Sequence, residues 1–142
     1  MQNLLLLLII FFCLNTYSNP MPLGLELNKT TNIDLTKKYK IINKEPNYWQ
    51  GYNYYIESNV KTISKALVKY NDFNVIEAVI LTIDKNKFEE FYNILKDKYS
   101  LEEEADKVIT FKDVVILKSS ELKPEIELVY ITNSFYKECL IN

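Results

Sequence analysis

The chain has 142 residues, a single-domain length, with 48% hydrophobic, 25% charged and 13% aromatic side chains and only two Gly and four Pro, a balance that excludes general disorder. The formal net charge is −2 and all seventeen basic residues are lysine, arginine and histidine both being absent. These counts exclude a guanidinium fork for phosphate or carboxylate, an imidazole base or metal ligand, and the basic excess that nucleic acid requires.

Residues 4–14 read Leu-Leu-Leu-Leu-Leu-Ile-Ile-Phe-Phe-Cys-Leu, and the first charged side chain is Glu26. As a helix this run extends about 16 Å, half of a bilayer's hydrocarbon core, which is the length of a signal-peptide apolar region and too short for a stable span. Thr16 and Ser18 are small residues placed for a cut after Ser18. The expected organisation is a signal peptide over 1–18 and one domain over 19–142, periplasmic or secreted, with no stable membrane span once the leader is gone. Cys13 follows Phe12, whereas lipoprotein processing needs a small residue there. The mature chain then keeps one thiol, Cys139, which has no internal disulfide partner.

In chain order, Pro22–Asn28 alternates apolar and other residues and reads as a short strand. A helix over about 32–39 follows, capped by Thr30 or Thr31. Strands are expected at 39–43 and 48–57 around a Lys44–Asn47 turn, then a hairpin of 65–70 and 75–83 turning at Asn71–Asn74. The clearest element is a helix over 85–99, with Phe88, Phe91, Tyr92, Leu95 and Tyr99 as one stripe, Phe91 at its centre, and Asp84 as N-cap. A charged loop 101–107, strands at 108–112, 114–119 and 125–132, and a helical turn at 135–140 complete the chain. The fold class expected is α+β: an antiparallel sheet with two main helices on one face. Leu25-Glu26-Leu27…Lys38-Tyr39 and Leu81-Thr82-Ile83…Lys98-Tyr99 look alike, which reads as two tandem strand-helix-strand-strand units.

The opening Pro22-Leu23-Gly24-Leu25-Glu26-Leu27-Asn28-Lys29-Thr30-Thr31 and the Lys38-Tyr39 pair resemble a family of uncharacterised small exported proteins of Gram-negative bacteria. The likeness continues through Val79-Ile80-Leu81, Phe88…Lys98-Tyr99 and Glu127-Leu128-Val129-Tyr130-Ile131. It implies export and carries no activity with it. Asn28 stands where that pattern usually has Gly, and Asn is the next best residue for a left-handed turn.

Glu and Asp are plentiful enough for carboxylate-pair catalysis, yet no spacing singles out a pair. Glu102-Glu103-Glu104 with Asp106 is a dense acidic cluster, but it lacks a glycine for a tight ligand turn. Asp84-Lys85-Asn86 begins like a calcium loop and lacks its later Gly and Glu. Ser64-Lys65 is adjacent rather than arranged on one helical face, and no Gly-rich phosphate loop exists. No enzyme activity, cofactor or metal is therefore expected.

The unusual stretch is Tyr48-Trp49-Gln50-Gly51-Tyr52-Asn53-Tyr54-Tyr55. On a strand Tyr48, Tyr52 and Tyr54 share one face, and Trp49, Gly51, Asn53 and Tyr55 share the other. Tyr and Trp form strands well, and they also dominate binding hot spots. Trp49, Asn53 and Tyr55 are the candidate contact surface. The function expected is a protein-interaction module of inhibitor, immunity or envelope-accessory type, with another envelope or extracellular protein as partner. The alternative is a periplasmic binder of small ligands or glycans, which an enclosed apolar pocket would favour.

Overall fold

The computed structural model describes residues 20–112 and 115–141. The leader and its cut after Ser18 lie outside the described residues. The chain is a mixed α+β protein, mostly sheet. Among the described residues, eight strands form one antiparallel sheet: β1 (Ile41–Pro46), β2 (Tyr52–Ile56), β3 (Ile63–Tyr70), β4 (Ile76–Asp84), β5 (Leu101–Ala105), β6 (Val108–Phe111), β7 (Val115–Lys118) and β8 (Glu125–Ile131). Their spatial order is β1-β2-β3-β4-β8-β7-β6-β5, so β4 and β8 pair at the centre while β1 and β5 are the edges.

Three α-helices accompany the sheet among the described residues: α1 (Asn32–Lys38), α2 (Phe88–Lys98) and α3 (Asn133–Ile141). Thr31 and Asp34 close a capping box on α1, each side chain serving the other's backbone N–H, a device that contributes about 1 kcal/mol. Asp84 accepts from the Asn86 N–H and opens a 3-10 turn, Lys85–Lys87, that leads into α2. Leu95, rather than Phe91, is the side chain of α2 that is fully buried. Phe88, Phe91 and Tyr92 are half-buried around it.

Strand alternation divides the sheet into two faces. One face presents Tyr54, Ile56, Ala66, Val68, Val79, Leu81, Ile126, Leu128, Val115, Leu117, Ile109 and Phe111 to a single core cluster, to which Leu35 of α1 and Leu95 of α2 also belong. Burying each such Leu or Ile contributes about 1.5–3 kcal/mol. The alternate residues of β4 and β8, Ala78 and Ile131, form a separate small cluster with Phe135 of α3.

Several expectations change. Pro22–Asn28 is not a strand: Pro22–Gly24 is a 3-10 turn, with Leu23, Gly24 and Asn28 all at positive φ. Leu25 and Leu27 are nonetheless fully buried, so the alternation marks a compact loop inserted into the core. Asn28 adopts the left-handed conformation, φ 64°, which Asn tolerates better than most non-glycine residues. The turn between β1 and β2 is residues 47–51, so Tyr48 and Trp49 leave the strand. Residues 101–105, expected as loop, form edge strand β5, exposed throughout. The terminal helical turn is a nine-residue helix.

Candidate functional site

Asn47 builds the turn that carries Trp49. Its Oδ1 accepts from the Trp49 N–H (3.1 Å) and the Gly51 N–H (3.0 Å); its Nδ2 donates to the Tyr70 carbonyl (2.9 Å) and to Asn53 Oδ1 (3.3 Å). Gly51 lies so close to β3 that a Cβ there would collide with the Tyr70 carbonyl oxygen. This pinned turn sets the half-buried Trp49 ring edge-on to Phe135, centroids 4.9 Å apart at 85°.

Lys69 enters the same cluster from β3. Its Nζ lies 4.2 Å from the Trp49 centroid and 4.1 Å from that of Phe135, and it donates to Glu77 Oε2 at 3.1 Å. At 5% exposure this is a buried cation, which must be paired. The pairing depends on a β-bulge: Lys69 opposes Ala78 and Tyr70 opposes Ile76, so Glu77 is the extra residue, turned toward Lys69.

The face continues past this cluster as one cross-strand row. Asn43, Tyr55, Leu67, Ile80, Val129, Ile116, Thr110 and Glu103 pair successively across all eight strands. Polar residues end the row and apolar ones fill its middle. Leu67 and Ile80 are half-buried and belong to neither buried cluster, whereas Val129 and Ile116 pack beside Phe135.

The three sequence candidates thus lie on one side of the sheet. Asn53 sits directly opposite Lys69, and Tyr55 directly opposite Leu67. Tyr55 donates its hydroxyl to Glu45 Oε1 at 2.7 Å, which with burial and the carboxylate's charge raises its pKa. Lys65 Nζ stands 5.0 Å from its ring. A groove of about 380 Å³, open to solvent, runs here between Ile42, Asn43, Glu45, Tyr55, Ser64 and Lys65. No family model, curated protein or solved structure matches this chain. The site therefore rests on its geometry.

Lys69, Glu77, Phe135 and the Leu67–Ile80 pair were not legible as site residues. The signal that could have found the row is the nearly continuous apolar run Ala78–Leu81, which marks a strand apolar on both faces. Cys139 is exposed on α3; burial raises its thiol pKa, partly opposed by the Lys69 ammonium. The acidic residues 102–104 lie along edge β5, and no group of three or more His, Cys, Asp or Glu that could hold a metal occurs among the described residues. No helix among the described residues is long and apolar enough to cross a membrane.

Proposed function

We propose that this chain is an exported, non-enzymatic protein-interaction module that binds an envelope or extracellular protein through the sheet face carrying Trp49, Asn53, Tyr55, Leu67 and Ile80. The observation that carries this reading is the apolar middle of the cross-strand row, left half-buried at Leu67 and Ile80 beside a pinned Trp49. An apolar sheet face flanked by Trp49 on its hydrogen-bonded turn and by Tyr55 of β2 suits a protein partner. The groove beside Tyr55 suits a small ligand less well, because it is open and its Tyr55, Glu45 and Lys65 groups are engaged with one another. Two structural readings accompany the proposal. Leu35 and Leu95 share one core cluster, which supports α1 and α2 lying on a single face. A helix followed by four strands occurs twice, in place of the expected strand-helix-strand-strand order, and this repetition supports two tandem units meeting at β4 and β8.

The test compares wild type with Ile80→Lys in cross-linking against the native envelope fraction. The expected result is a defined cross-linked species that Ile80→Lys loses while its unfolding stays cooperative; an unchanged species in Ile80→Lys would overturn the proposed face. Export is tested separately, by the N-terminus of protein recovered from the periplasm. Asn19 or a near neighbour is expected, and intact Met1 in a cytoplasmic fraction would overturn it.

A further inference from the structure

We infer that Asn28 is an N-glycosylation site, its side-chain amide taking an oligosaccharide from a polyprenyl-diphosphate donor before the chain folds. The inference rests on the export reading above, because an acceptor of this kind is modified on chains delivered out of the cytoplasm.

The sequence supplies the acceptor. Among fifteen asparagines, Asn28 alone has serine or threonine two positions on with a residue other than proline between, as Asn28-Lys29-Thr30. In an extended segment alternate residues share a face. Glu26, Asn28 and Thr30 then present a carboxylate, an amide and a hydroxyl together, while Leu27 and Lys29 point away. In the transfer, Asn28 Nδ2 attacks C1 of the donor's first sugar. The N–C1 bond forms as the C1–O bond to the diphosphate breaks, the polyprenyl diphosphate leaves, and Nδ2 gives one proton to a base of the transferring enzyme.

The folded chain leaves room for a bulky, hydrated substituent at this position. Asn28 is exposed and stands at φ 64°. Its backbone N–H donates to the Ile76 carbonyl at 2.9 Å, and its side chain makes no hydrogen bond among the described residues. The same fold closes the acceptor to an enzyme. Thr30 Oγ1 accepts from the Glu26 N–H at 2.9 Å, and the Lys29 and Thr30 N–H groups both donate to the Glu26 carbonyl, at 3.3 and 3.0 Å. The Glu26 carboxylate meets Lys29 Nζ at 3.4 Å. Leu25 and Leu27 are fully buried, so drawing the segment out would empty part of the core. Modification therefore precedes folding, and folding then leaves the glycan at the surface.

The first measurement uses the full chain with its leader, produced in a Gram-negative cell that carries an envelope oligosaccharyltransferase and its lipid-linked oligosaccharide. Mass spectrometry of protein recovered from the envelope should find the oligosaccharide's mass on the peptide containing Asn28. Asn28→Gln and Thr30→Ala should lose it, and Thr30→Ser should keep it. A misfolded chain remains an open acceptor, so loss in Thr30→Ala reports the hydroxyl and not the fold. Glu26→Gln should lower the modified fraction; an unchanged fraction would remove the carboxylate from the acceptor. A chain with its leader removed and Asn28 unmodified overturns this inference and leaves export standing, whereas intact Met1 in the cytoplasm overturns both. The second measurement offers solubilised enzyme and donor to the purified, unmodified folded chain and to a synthetic peptide of residues 22–31. The peptide should be modified and the folded chain should not. Modification of neither overturns the site, and equal modification overturns the order of events.

Discussion

Lys69 and Glu77 meet at 3.1 Å on the sheet face that α3 covers, brought together by the extra residue that the bulge inserts in β4. Both side chains are largely withdrawn from water, so the pair is more a condition of the local fold than a source of stability. Removing one partner, by Lys69→Met or Glu77→Leu, should destabilise by roughly 2–4 kcal/mol, because the other charge is left without a counterpart. The double substitution should cost less than the sum of the two. A double-mutant cycle by urea unfolding checks this; additive losses would show that the charges do not depend on each other.

The turn at residues 47–51 makes a sharper prediction. Asn47→Ala removes four hydrogen bonds and should cost roughly 2–4 kcal/mol. Gln50 holds φ 65° without being glycine, so Gln50→Gly should be neutral or stabilise by up to about 1 kcal/mol. Thermal unfolding of the two variants should move in opposite directions or differ widely; similar losses would mean that the side chain of Asn47 does not organise the turn.

The buried stripe of α2 orders three substitutions. Leu95→Ala should cost about 2–4 kcal/mol, because Leu95 is fully enclosed in the main core cluster. Phe91→Ala should cost less, the ring being half-buried, and Lys96→Ala should stay within roughly 0.5 kcal/mol. Chemical denaturation that ranks Phe91 above Leu95 would show the helix to be rotated from the orientation described.

Alkaline pH should act through the buried Tyr70 and the half-buried Tyr130. Burial raises the Tyr70 and Tyr130 hydroxyls well above the ordinary value of 10.0. In the unfolded chain they titrate near that ordinary value, so above it the unfolded state has lost protons that the folded state retains. Stability is then fully present below about pH 9 and falls as pH rises past about 10, by up to about 1.4 kcal/mol per pH unit for each tyrosine. Urea unfolding measured from about pH 8 to about pH 11 should show the decline, and Tyr130→Phe should flatten it. A profile for Tyr130→Phe as steep as that of wild type would remove Tyr130 from the account.

What the sequence determined by itself is local. The helix over 32–39 capped by Thr30 or Thr31, the stripe of α2 behind Asp84, the Asn71–Asn74 turn and the strands near 108–112 and 125–132 all depend on neighbours within a few residues, and periodicity and capping chemistry report such neighbours directly. The tertiary structure decided the rest. Leu25 and Leu27 alternate as a strand would, yet positive φ at Leu23, Gly24 and Asn28 folds them into a buried loop. Asn53 and Tyr55 could be assigned to a shared face from alternation alone, whereas Trp49, expected on the same strand, reaches that side from the turn that Asn47 builds. Their neighbours could not, because Lys69 and Phe135 reach Trp49, and Glu77 reaches Lys69, only through strand register, a bulge and the docking of a distant helix. Register and helix docking are set by long-range burial, which leaves no local trace in the chain.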